Sequence, residues 1–205
     1  MSNDPVVAIV GVTGAVGAEF IATMDKRGFR VGRLKALASA RSAGKTVEFR
    51  GKPVVIEELT ERAFEGVDIA LFSAGSGISK KFAPLAVKSG AVVVDNSSAF
   101  RMDPNVPLVI PEINANRIRD HKGIIANPNC AAITALVPLW PIHQKNRIKR
   151  VIISTYQAAS GAAISGRMVR MMVPSIGPRI EPRPPIRTAM KNNTDRSKVK
   201  ASGVM

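Results

Sequence analysis

A chain of 205 residues that is 45% hydrophobic can bury one large core or two small ones, and a formal net charge of +15 makes nucleic acid the first partner to weigh. No apolar run approaches the ~18 residues of a membrane-spanning helix, so no membrane partner is expected. The single cysteine excludes an intrachain disulfide and a multi-cysteine metal site, and no metal is expected.

Met1-Ser2-Asn3-Asp4 has no basic region or cleavage site of a signal peptide, which together with the lone cysteine points to a reducing cytoplasm. Val6-Val7-Ala8-Ile9-Val10 is a continuous apolar run, the pattern of a strand buried on both faces of a parallel sheet. Gly11-Val12-Thr13-Gly14-Ala15-Val16-Gly17 follows it and opens an amphipathic stretch from Ala18 to Lys26. Glycines between a buried strand and a helix allow a tight turn and close backbone approach, and the helix N–H groups can meet a pyrophosphate. The spacing is GxxGxxG, a variant of the dinucleotide fingerprint, and an ordinary strand-to-helix turn remains the alternative.

Leu34 to Ala38 is expected to form the second strand and to continue into Ser39-Ala40-Arg41-Ser42-Ala43-Gly44-Lys45. An NAD site places a carboxylate at this point to take the ribose 2′-hydroxyl. Here hydroxyls and cations stand there instead: Arg41 can fork onto a phosphate, and Ser39 and Ser42 can donate hydrogen bonds. That favours NADP, against the plainer reading of a solvated basic loop. Val54-Val55-Ile56 and Asp68-Ile69-Ala70-Leu71-Phe72 are the next strands, followed by a helix across Ser79 to Ser89 and a strand at Ala91-Val92-Val93-Val94. Asp95-Asn96-Ser97-Ser98-Ala99-Phe100-Arg101 then lies past a strand end, where open α/β sheets bind ligands, and its Arg suits an anion such as phosphate or carboxylate.

After a strand at Ile124-Ile125-Ala126 comes Asn127-Pro128-Asn129-Cys130, with Asn129 in the N-cap position of a helix running to about Lys145. Cys130 is either a small buried hydrophobe or a nucleophile at a helix N-terminus, a setting that favours anions. Strands alternating with helices predict a doubly wound Rossmann-type parallel sheet. Arg150 to Tyr156 reads as a further strand, opening a second α/β domain.

Six of these segments together resemble bacterial-type aspartate-semialdehyde dehydrogenase. They are Gly11 to Gly17, Ser39 to Lys45, Asp95 to Arg101, Val109-Ile110-Pro111-Glu112-Ile113-Asn114, Asn127 to Cys130, and Ser154-Thr155-Tyr156-Gln157-Ala158-Ala159-Ser160-Gly161. The resemblance covers residues from about 5 to 162. N-acetyl-γ-glutamyl-phosphate reductase shares the chemistry but fits the Ala-Arg-Ser and Gln-Ala-Ala-Ser-Gly runs less well. The resemblance implies reversible, NADP-dependent conversion of L-aspartate-4-semialdehyde and phosphate to L-4-aspartyl phosphate, feeding lysine, threonine, methionine and diaminopimelate synthesis. It implies Cys130 as nucleophile and Gln157 as the residue positioning substrate, with Asn96 and Arg101 holding phosphate. NADP would contact Gly11, Thr13, Gly14, Ala15, Val16, Gly17, Ser39, Arg41, Ser42, Ser73, Ser160 and Gly161. On this basis residues 1–128 are the NADP-binding domain and 129–162 the start of a catalytic and dimerisation domain.

Residues 163–205 depart from the family. From 162 onward lie 9 of the 30 basic residues but only 2 of the 15 acidic ones, 5 of the 8 methionines, 5 of the 14 prolines and no aromatic residue. Arg167 to Val173 could form a short helix before the prolines forbid a long one. With no aromatics to stack on bases, this tail argues for no specific nucleic-acid partner. Its composition suggests disorder or a shifted reading frame, which restored family-like sequence in another frame would establish; a fragment carrying an unrelated extension is the rival expectation. The family's catalytic His, its carboxylate-binding Arg and its homodimer interface belong to sequence not matched here. His121, in a charged turn, and His143, 13 residues along the helix from Cys130, are poor substitutes for the base. A chain limited to these residues is therefore expected to bind nucleotide at most, with negligible turnover.

Overall fold

The apolar run Val6–Val10 becomes a central strand, buried at every position after its first. The computed structural model describes residues 4–155. Strand β1 (Val6–Val10) leads to helix α1 (Ala15–Lys26), and β2 (Arg33–Ala38) to a single tight turn at Ala40–Ser42. A hairpin of β3 (Thr46–Phe49) and β4 (Lys52–Glu58) follows. Then come β5 (Ile69–Phe72), α2 (Ser76–Lys88), β6 (Val92–Asp95), the short α3 (Pro111–Asn114), β7 (Ile124–Ala126) and α4 (Cys130–Lys145).

The strands join in one sheet of order β3-β4-β2-β1-β5-β6-β7, and every pair except β3–β4 is parallel. From β1 the chain winds outward through β2 to β4, then returns to lay β5 on the other side of β1. That reversal opens a crevice at the carboxyl ends of β1 and β5, the place where open α/β sheets bind ligands. Alternate residues of β1 feed two separate cores, so helices cover both faces. Val7 and Ile9 pack with Met24, Leu34 and Ile56 beneath α1, whereas Ala8 and Val10 pack with Phe64, Phe72, Phe82 and Ala86 beneath α2.

Phe64 and Phe72 are fully buried, with stacked rings 5.8 Å apart between centroids. Phe72→Ala is expected to lower the unfolding free energy by about 3–5 kcal/mol, through lost burial and the cavity left behind. Urea denaturation followed by circular dichroism checks this, and a loss below about 1 kcal/mol would mean that the site collapses around the smaller side chain.

Three features differ from the sequence expectation. The sheet is mixed, because Thr46–Phe49 pairs antiparallel with Lys52–Val55 across a two-residue turn in which Arg50 adopts a left-handed φ of 53°. Arg50 is held there by its guanidinium, which donates to the Phe29 carbonyl, approaches Asp25 at 3.5 Å and lies over the Phe49 ring. The strand expected over Arg150 to Tyr156 does not form across residues 151–155: they are exposed and pair with no strand among the described residues. An apolar run with no neighbour to complete its hydrogen bonds has no ladder to join. Among the described residues after 128, α4 is therefore the one regular element, and no residue of α4 is buried. Gln157, Ser160, Gly161, the possible helix from Arg167 to Val173 and the tail 163–205 lie outside the described residues.

Candidate active site

The glycine loop sits where the sheet reverses, wedged between the ends of its two neighbouring strands. Gly11 and Val12 donate backbone hydrogen bonds to Leu37 of β2, and Ser73 at the end of β5 donates to Val10 of β1. Gly11 has φ of 88°, and a Cβ there would stand 2.6 Å from the Ser73 carbonyl oxygen. A Cβ on Gly17 would stand 2.5 Å from the Gly11 oxygen and 2.6 Å from Val12 backbone atoms, so α1 approaches the loop as closely as a bare backbone allows. Gly14 is the N-cap of α1 and no side chain caps the helix. Thr13, Gly14 and Ala15 are exposed at its mouth, while Val16 is half-buried. Uncapped N–H groups beside an open glycine cradle fit the pyrophosphate of a dinucleotide.

At the end of β2, Ser39 starts the tight turn whose Ser42 N–H donates to the Ser39 carbonyl at 2.8 Å. Ser39 and Arg41 are exposed, whereas Ser42 is buried. Burial makes Ser42 a structural member of the turn and leaves Ser39 and Arg41 as the groups a ligand can reach. A carboxylate does stand nearby: Glu58, exposed at the end of β4, is in register with Ala38. Sequence spacing could not reveal it, because β3 intervenes in the chain between β2 and β4.

Along the same sheet edge the cysteine loop is tied to the loop after β6. Asn127 donates its N–H to the Asp95 carbonyl at 2.8 Å and its side-chain amide to Asn96 Oδ1 at 2.7 Å. Arg101 Nε donates to the Asn127 carbonyl and Arg101 Nη2 to the Asn96 carbonyl, each at 2.9 Å. The expected anion ligands Asn96 and Arg101 therefore meet, and both also grip the segment leading to Cys130. Beneath them the Asp95 carboxylate, fully buried, accepts from Ser79 Oγ, Ser97 N–H and Ser97 Oγ. Sequence reasoning assigned no role to Asp95 or Ser79. The available signal was a carboxylate ending the apolar strand Val92–Val94.

Cys130 is the first residue of α4 and is exposed, which removes the reading of a small buried hydrophobe. Asn129 is the N-cap as expected, its Oδ1 accepting from Ala131 N–H at 2.9 Å. The two histidines have local tasks: His121 Nδ1 accepts from Gly123 N–H, and His143, stacked with Trp140, accepts from Ile148 N–H. His143 is also about 20 Å along the helix from Cys130. An apolar groove of about 520 Å³ between α3 and α4, lined by Ile110, Ile113, Leu136 and Trp140 among others, contains neither the glycine loop nor the cysteine. No helix among the described residues is long and apolar enough to cross a membrane.

Comparison with known proteins matches residues 6–121 to the family described as "Semialdehyde dehydrogenase, NAD binding domain". The chain is 54% identical over 156 residues to aspartate-semialdehyde dehydrogenase of Synechocystis sp., covering 76% of this chain and 46% of that protein. It is 55% identical over 159 residues to the Aquifex aeolicus protein of the same name, covering 76% and 47%. Among solved structures, aspartate semialdehyde dehydrogenase II from Vibrio cholerae superposes with a TM-score of 0.75 at 47% identity, covering 78% of this chain and 48% of that one. The chain thus spans about half the length of the curated relatives it matches.

Proposed function

The chain belongs to the aspartate-semialdehyde dehydrogenase family, and from that premise we propose that it serves the reversible conversion of L-aspartate-4-semialdehyde and phosphate to L-4-aspartyl phosphate. One observation carries the reading: the glycine loop at the start of α1 and Cys130 at the start of α4 lie at the same end of one sheet, with Asn96 and Arg101 between them. The nucleotide domain is residues 1–128, and α4 begins the catalytic part.

In the oxidative direction the Cys130 thiolate adds to the aldehyde carbon and forms a thiohemiacetal. When bound, NADP supplies the hydride acceptor that makes a thioester of that carbon possible. A phosphate oxygen then attacks the thioester carbonyl and expels the thiolate, leaving the acyl phosphate. Asn96 and Arg101 would hold that phosphate, and Gln157 would orient the substrate. Gly11 to Gly17, Ser39, Arg41, Ser73, Ser160 and Gly161 would receive the dinucleotide, with Ser42 supporting the turn from beneath. The Vibrio cholerae relative has been crystallised in complex with ASA. A cytoplasmic location fits this chemistry.

The assay is NADPH formation by the purified chain from aspartate semialdehyde, phosphate and NADP. Turnover that requires all three supports the proposal, whereas a chain that binds NADP and never reduces it supports a second reading, nucleotide binding without catalysis. That second reading is favoured by the absence of any buried residue in α4 and by the local engagement of both described histidines.

Cofactor preference has its own test. Arg41→Ala is expected to weaken NADP binding by about 10- to 100-fold, the equivalent of a charge-assisted hydrogen bond, and to leave NAD binding nearly unchanged. Calorimetric titration with both nucleotides measures this. Equal losses for the two would show that Arg41 does not read the 2′-phosphate.

A further inference from the structure

Arg101 was expected to meet an anion, yet two of its nitrogens are committed to the protein backbone. Nε donates to the carbonyl of Asn127 and Nη2 to the carbonyl of Asn96. A guanidinium carries five N–H donors in a rigid plane, so this leaves others able to face a ligand. Asn127 is three residues before Cys130, and Pro128 and the N-cap Asn129 fill the interval. Asn127 is gripped at three points: its N–H by Asp95, its side-chain amide by Asn96 and its carbonyl by Arg101. The base of the grip is rigid, because the buried Asp95 carboxylate takes three hydrogen bonds from Ser79 and Ser97, and Ser97 Oγ in turn accepts from Ala99 N–H.

We infer that Arg101 is a positioning residue for Cys130, clamping the Asn127 carbonyl so that the thiol emerges at a fixed place on the α4 N-terminus. The inference rests on reading Cys130 as the nucleophile and deepens it. A phosphate held by the outward N–H groups would share one rigid plane with the clamp, so occupancy of the anion site and placement of the thiol are coupled. A lysine keeps the charge at position 101 but has no planar fork to span two carbonyls. The structure thus separates the charge of Arg101 from its shape.

The test is iodoacetamide alkylation of Cys130, the one cysteine of the sequence, in the full parent chain, Arg101→Lys and Asn127→Ala. Rates are taken across a range of pH, with a urea transition recorded for each protein. Misplacing a reacting group by about 1 Å can cost about 10²-fold in an enzyme, and for the less demanding alkylation we expect Arg101→Lys to be slower by about tenfold, with a displaced pH profile. Asn127→Ala, which removes only the side-chain link to Asn96, is expected to move the rate in the same direction by less. A lysine variant that reacts with the parent's rate and pH profile overturns the inference, as does a variant changed only in its urea midpoint. If the lysine variant fails to fold, Asn127→Ala decides: parent-like alkylation there overturns the clamp. Adding inorganic phosphate to the parent probes the functional reading separately. Protection of Cys130 by phosphate supports the coupling, and its absence overturns the coupling and the anion role while the rate in the lysine variant still judges the clamp.

Discussion

Gly11→Ala is expected to abolish measurable NADP binding and to destabilise the nucleotide domain. Two independent terms act at this position. The φ of 88° lies where an L side chain is strained, at a cost of roughly 1–2 kcal/mol. The added Cβ would also stand 2.6 Å from the Ser73 carbonyl oxygen and 2.9 Å from its carbon, which are backbone atoms at the end of a buried strand and cannot rotate away. Overpacking of this kind adds about 1–3 kcal/mol. Relief requires the loop to leave the β5 end, and that movement opens the cradle and misaims the α1 N-terminus. Gly14→Ala is the control: its Cβ would meet only the Gly11 oxygen, at 3.4 Å, and its φ of −82° suits alanine. NADPH fluorescence titration and urea denaturation read both variants. A Gly11→Ala protein that binds nucleotide like its parent, with an unchanged urea midpoint, would show that the crevice between β1 and β5 is not the nucleotide site.

Much of this arrangement was legible in the sequence because its signals are local. Val6–Val10 is apolar at every position and is covered on both faces, and Asn129 caps α4 as its residue type and place predict. What was not legible depends on distant partners. Thr46–Phe49 alternates polar and apolar residues over only four positions, too short a run to announce a strand, and is held as one because Lys52–Val55 folds back on it across the Arg50 turn. Val151 to Thr155 carries a strand-like pattern, but an extended segment becomes a strand only when another supplies its hydrogen bonds. Asp95 looked like one polar residue in a polar loop. Its complete burial under Ser79 and Ser97 follows from α2 crossing above β6, which no spacing along the chain encodes. Arg101 shows the same limit in the site itself: its charge could be read from the sequence, and its grip on Asn127 could not.

Cys130→Ser is expected to remove phosphate-dependent oxidation of aspartate semialdehyde by at least about 10³-fold, the scale on which loss of a catalytic nucleophile is felt. Serine has nearly the same shape and leaves the N-cap intact, because Asn129 Oδ1 still accepts from Ala131 N–H at 2.9 Å, and a hydroxyl can replace the Cys130 thiol that donates to the same oxygen at 3.9 Å. Stability and NADP affinity should therefore stay close to those of the parent. The chemistry should not, because a hydroxyl without a matched base is a far weaker nucleophile than a thiol and a poorer leaving group when phosphate attacks the acyl carbon. Measurement in a single turnover, with enzyme in excess over aldehyde, keeps even a slow parent rate within range. Iodoacetamide labelling followed by intact mass should show one adduct in the parent and none in the variant. A serine variant within about tenfold of the parent rate would place the reacting group elsewhere, since so small a loss is only about 1.4 kcal/mol of transition-state stabilisation. Cys130 would then be an exposed thiol at a helix start, and the grip of Arg101 on Asn127 would serve the fold alone.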